Sequence, residues 1–201
     1  TDFVGKNEKF VDFVKGVAAT VVKNNPADLD ALMECKYNGT DLTVTQQQQE
    51  MVLVIGENIK VRRFACFAGG LSVPYVHAGG KIGVLVNLET SLSAEQVQEV
   101  GKDVAMQIAA LNPRFWDKSQ VTQDILDEEK KVMLAQMEND PKMANKPEQV
   151  REKIVMGKLN KFYAENCLLQ QDFVRSDVFE GSVEAYIAAT AKKLGGTITF
   201  K

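Results

Sequence analysis

Apolar residues recur at helical spacing through NEKFVDFVKGVAATVVK (residues 7–23), where Phe10, Phe13, Val14, Val17 and Val21 share one face. Asn24-Asn25-Pro26 stops that helix, because proline disfavours helical backbone at the residue before it. A short second helix is predicted over 28–37, closed by the turn signal Asn38-Gly39. The next segment, VTQQQQEMVLVIGENIKVRRFACFAGG, is helical in pattern over its first half. From Ile59 to Phe67 the period falls to two, which predicts a strand ended by Gly69-Gly70.

A second module follows. SVPYVH and KIGVLVNLE read as strands joined by the hairpin signal Ala78-Gly79-Gly80. A helix is predicted through SAEQVQEVGKDVAMQIAALNP, with Ser93 and Gln96 as a capping pair and Pro113 as its stop. Residues 122–168 are charged and helical in period. One limb carries Ile125, Leu126, Val132, Met133 and Met137, and the other Val150, Ile154, Val155, Leu159 and Phe162. Asn139-Asp140-Pro141 and Asn145-Lys146-Pro147 turn the chain between them, which predicts an antiparallel helical hairpin. Narrow apolar stripes suit a protruding coiled coil that meets a partner or a second copy of the chain. A loop over 170–181, a helix over 182–194 capped by Gly195-Gly196, and a strand over 197–201 complete the chain.

The first and fourth predicted helices share a pattern. FVDFVKGVAATVVKNNP (10–26) overlays VQEVGKDVAMQIAALNP (97–113) at a constant offset, with matched apolar positions and the same Asn-Pro stop. This points to an internal duplication. The second copy has a hairpin before its helix and the first does not, so the chain reads as a fragment truncated at its N-terminus, its first hairpin absent.

Composition narrows the function. The 201 residues are 45% hydrophobic and 25% charged, with a net charge of -3, an ordinary globular balance. That charge argues against nonspecific DNA or RNA binding, which relies on a basic face. No apolar run approaches the roughly 20 residues that cross a bilayer. Cys35, Cys66 and Cys167, few and scattered, suit reduced thiols in a cytosol-like compartment.

Candidate chemistry is sparse. His77 is the single histidine, without the Cys and His spacing of a metal site. Its residue-level reading is a partly exposed hairpin residue. A hydrolase pairing His77 with a cysteine has no local signature. Neither GxxxxGK[ST] nor GxGxxG occurs, and no cofactor is expected. Arg62-Arg63 read as a solvated face. The residues favour binding or regulation over covalent catalysis.

Several stretches together resemble bacterial elongation factor Ts, the exchange factor for elongation factor Tu. They are TDFVGKNEKF, IGENIKVRR, YVHAGGKIGVLV and KPEQVREKIVMGKLNKFYAENCLLQQDFV, in the order that family shows. The resemblance implies an α+β fold of two related subdomains, each with a small antiparallel sheet flanked by helices, and an inserted antiparallel coiled-coil hairpin. On this chain those fall at 1–70 (incomplete), 71–121 with 169–201, and 122–168. It implies a cytoplasmic protein that performs no covalent chemistry. Such a protein binds elongation factor Tu loaded with GDP, disturbs its magnesium site and releases the nucleotide. The alternative is a non-catalytic adaptor that dimerises through the arm.

The resemblance also assigns residues. Thr1, Asp2, Phe3 and Val4 match the family's intruding TDFV, with Phe3 as a wedge between two partner helices and Asp2 engaging polar groups nearby. From the residues alone, Phe3 packs on its own helix and Asp2 caps it. Ile55-Gly56 match a supporting contact, and His77 matches a hairpin histidine that touches the partner. Val174 and Arg175 lie in QDFVRSD, which resembles the family's QPFV contact loop. Asp172 replaces its usual proline, which makes the loop less stiff.

Overall fold

The computed structural model describes residues 3–144 and 146–201. The chain divides into two compact units, residues 1–69 and 70–201.

In the first unit, α1 (Glu8–Asn24) begins at Asn7, whose side chain accepts the Lys9 N–H, and ends at Asn25 in the left-handed conformation (φ 43°, ψ 55°). Pro26 then prevents its continuation. Helices α2 (Leu29–Glu34) and α3 (Val44–Ile55) pack beside it, and Thr43 with Gln46 forms a capping box on α3. The core gathers Phe13, Val17, Val21, Leu32, Val44 and Ile59. Tyr37 stacks on Phe13, with ring centroids 5.9 Å apart, and fills the space that Gly16 leaves: a Cβ there would lie 1.9 Å from the Tyr37 hydroxyl oxygen.

The strand predicted over Ile59–Phe67 does not form. Among the described residues this segment has no neighbouring strand, and the first unit's only β pairing is the single bridge Lys36–Thr43. A sheet needs a second chain segment to exchange backbone hydrogen bonds. Here the Val61 N–H is satisfied instead by the Gln48 side chain, and Ile59, Val61 and Phe64 turn onto the helical core. The alternation carries only Ile59 and Val61 inward; after Arg62-Arg63 the phase shifts and Phe64 follows them, which a regular strand would not allow. Nor does the described part of this unit contain the small sheet that the resemblance implied.

The second unit holds one antiparallel sheet in the order β1 (Leu71–His77), β2 (Ile82–Thr90), β3 (Ile198–Phe200). Pro74 lies on β1, an edge strand, where its missing N–H costs no ladder bond on the open side. The hairpin turns through Ala78 (φ 49°), Gly79 (φ 65°) and Gly80 (φ 94°), three consecutive positive φ values that explain the two glycines. Helix α4 (Ala94–Leu111) opens with the predicted Ser93–Gln96 capping box and ends at left-handed Asn112 (φ 45°, ψ 58°). It lies against β1 and β2 and presses close to Val73: a Cβ on Gly101 would sit 2.6 Å from a Val73 methyl. Val73, Val86, Leu88, Val97, Val100, Val104 and Phe200 form the core with α8 (Val183–Leu194).

Between α4 and α8 the chain runs out through α5 (Gln123–Glu138), α6 (Pro141–Ala144) and α7 (Glu148–Asn166). Met133 and Met137 of α5 meet Ile154, Val155 and Leu159 of α7. At the base, Val121, Phe162 and Cys167 are buried with Phe115 against them. The departing and returning chains are stitched there: the Arg114 and Phe115 N–H groups donate to the Asn166 carbonyl, and the Leu168 N–H donates to that of Phe115. Among the described residues no helix is long and apolar enough to cross a membrane.

Candidate functional site

Thr1 and Asp2 lie outside the described residues. Phe3 is described, and it stands out: its side chain is 88% exposed. The backbone beneath it is fixed. Phe3 precedes a single 3-10 turn (Val4–Lys6), its carbonyl accepts the Lys6 N–H at 3.2 Å, and the Val4 carbonyl accepts the Asn7 N–H at 2.9 Å. The turn joins directly to α1, so an ordered stem carries an uncovered aromatic ring. This differs from the residue-level expectation that Phe3 packs on its own helix.

Ile55 is brought to the same place. Phe3, Val4, Asn7, Glu8, Lys9, Val54 and Ile55 line one open depression of about 550 Å³. Gly56 follows as the C-cap of α3, left-handed at φ 76° and ψ 18°, with nothing within 4 Å of where a Cβ would be. The positive φ, not crowding, is what asks for glycine there. Leu53 and Val54 are 83% and 58% exposed. Sequence reasoning missed both. The signal was present in MVLVI, five consecutive apolar residues on a helix that can bury only one face.

The other candidates belong to the second unit. His77 is exposed at the end of β1, and its Nδ1 lies 2.8 Å from the Tyr75 hydroxyl two residues earlier on the same side of the strand. That bond orients the ring while its other nitrogen remains outside the pair. Cys167 of the same unit is buried beside Val121 and Phe162, away from solvent. Among the described residues no cluster of His, Cys, Asp and Glu is arranged to hold a metal ion.

Val174, 41% exposed, and Arg175 sit on the turn before α8. Arg175 Nη1 donates to Asp103 Oδ1 of α4 at 3.1 Å, and Nη2 donates to Asp177 at 3.3 Å. The Asp103 hydrogen bond above all holds the guanidinium pKa above its usual value. Asp103 is itself buried and accepts the Tyr186 hydroxyl at 2.5 Å. Burial first, and then the Asp103 hydrogen bond, push the Tyr186 pKa up. Neither Asp103 nor Tyr186 was expected from sequence. The signal was a polar residue inside the apolar face of α4, where an unpaired carboxylate is costly and a partner must exist.

The fold and these surfaces define a two-unit α+β protein that presents aromatic and aliphatic side chains on ordered turns. The whole chain, residues 1–201, matches the family model of elongation factor Ts, and the chain belongs to that family. It is 41% identical over 202 residues to elongation factor Ts of Syntrophotalea carbinolica, covering 99% of this chain and 65% of the relative. Identity is 43% over 208 residues to that of Trichlorobacter lovleyi (100% and 65%), and 40% over 202 residues to that of Clostridium kluyveri (98% and 64%). The chain therefore spans about 65% of the length of these curated relatives.

Proposed function

We propose that the chain acts as a guanine-nucleotide exchange factor on elongation factor Tu during translation in the cytoplasm. Family membership supports the class of partner. The single observation that carries the mechanism is Phe3, a ring 88% exposed on a hydrogen-bonded stem beside Ile55. An uncovered aromatic on a rigid support gains most by entering a partner's cleft, because little of its area is already removed from water. Phe3 wedges between two helices of the GTPase while Val4, Ile55 and Gly56 press on the surface around it. Thr1 and Asp2 complete the intruding segment. His77, Val174 and Arg175 contact other parts of the partner.

The partner holds GDP through a phosphate loop and a magnesium ion that offsets phosphate charge. Shifting the helices that support the ion removes that compensation, and GDP dissociates faster. Coupling is reciprocal, so GTP binding in turn weakens the hold of the exchange factor. No bond is made or broken.

The finer architecture is part of the same reading. Helices α1 and α4 both end at a left-handed asparagine followed by proline, which supports two related subdomains, residues 1–70 and 71–121 with 169–201. Residues 122–168 are an inserted coiled-coil arm.

Release of a fluorescent GDP from elongation factor Tu tests the proposal. Addition of the chain should accelerate release. Binding without acceleration overturns it in favour of a non-catalytic adaptor that dimerises through the arm.

A further inference from the structure

Residues 171–175 are held by α4 in an unusual way. Gln107 is fully buried. Its Oε1 accepts the Val174 N–H at 2.8 Å, and its Nε2 donates to Gln171 Oε1 at 3.1 Å and to the Asp172 carbonyl at 3.0 Å. Gln171, 1% exposed, extends the link by donating to the Glu165 carbonyl at 2.8 Å. The Phe173 ring is buried, stacks on Tyr186 with centroids 4.1 Å apart, and its N–H donates to the Gly181 carbonyl. One turn before Gln107, Asp103 takes the guanidinium of Arg175. Each residue from Gln171 to Arg175 is thus tied inward by backbone or side chain, while the Val174 side chain points out.

The amide orientation of Gln107 is fixed by its partners. The Val174 N–H can only donate and the Asp172 carbonyl can only accept, so oxygen must face the first and nitrogen the second. Satisfying all three groups inside the protein makes this a specifying network, since a half-satisfied one would cost more than an apolar contact.

We infer that Gln107 and Asp103 are positioning residues: together they clamp the turn after Gln171 so that Val174 is presented, pre-ordered, to a protein partner. This rests on the exchange-factor reading for the identity of that partner. Its physical content is that docking through Val174 avoids the entropy of ordering an exposed loop, because α4 has already ordered it.

Two measurements test the clamp. In the free chain, Gln107→Met should speed amide hydrogen exchange at Val174 by about tenfold or more, with α4 amides such as Val104 little changed. Against elongation factor Tu loaded with GDP, a double-mutant cycle of Gln107→Met and Val174→Ala should be non-additive, because the second change removes what the first misplaces. A purely structural role predicts additive losses. Asp103→Asn keeps an oxygen for Tyr186 and serves as the milder variant if Gln107→Met folds poorly. It too should raise Val174 exchange and show non-additivity. Unchanged exchange at Val174, or additive losses with a wild-type chain that binds normally, overturns the inference alone. A wild-type chain that does not bind overturns the exchange reading and the docking role together.

Discussion

Phe3→Ala separates a docking side chain from a core side chain. A phenylalanine side chain offers about 200 Å² of surface. With the ring 88% exposed, about an eighth of that is covered in the free chain, and at ~25 cal/mol per Å² its removal costs about 0.6 kcal/mol. For a chain of this size such a loss lowers the melting temperature by about 1–2 °C. The uncovered remainder sets a ceiling of about 4 kcal/mol on what the ring could contribute when a partner encloses it. A buried aromatic anchor commonly costs ~2 kcal/mol or more on truncation, so Phe3→Ala should weaken the complex by about 30-fold or more. The assay is a thermal melt beside a titration of fluorescent-GDP release from elongation factor Tu. A melting drop beyond about 5 °C would assign Phe3 to the chain's own core. An unchanged release curve would remove the wedge from the mechanism.

Gly101→Ala should destabilise the second unit by about 1–3 kcal/mol in denaturant melts, because the new methyl meets Val73 on the facing strand and β1 must move to admit it. Gly16→Ala should do the same to the first unit by displacing Tyr37 from its stack on Phe13. Tyr186 makes stability fall in alkali. Its pKa is raised in the folded state, so the stabilisation is complete below the ordinary tyrosine value near 10 and is lost as pH rises above it, since the unfolded chain releases the proton first. Tyr186→Phe should flatten the decline of the denaturant midpoint above about pH 10, and an unchanged slope would discount the buried pair with Asp103. Cys66 should alkylate rapidly and Cys167 slowly in the native chain, because Cys66 is exposed while burial, followed by the charge of Asp117, raises the Cys167 thiol pKa; mass spectrometry of partly labelled protein reads the order.

Helices α1 and α4 and their ends were legible in the sequence because their causes are local, whereas α2 stops at Glu34, short of the Asn38-Gly39 signal, and Pro141–Ala144 is helical where a turn was expected. Apolar spacing marks the face that α1 and α4 bury, Ser93 and Gln96 satisfy the first orphan N–H groups of α4, and Asn-Pro ends both helices. The β1–β2 hairpin was legible for the same reason, since Gly79 and Gly80 supply positive φ where the chain reverses. Ile59–Phe67 marks the limit. Its alternation is that of a strand, but a ladder depends on a neighbour, and within the described first unit the core and the Gln48 side chain take its place. Likewise no spacing rule could place Phe3 outside the core, or join Asp103 and Gln107 of α4 to Arg175, Tyr186 and Val174 across more than 60 residues of chain. Local backbone preferences are written in neighbouring residues; which surfaces remain uncovered, and which buried polar groups find each other, depends on how distant segments share one interior.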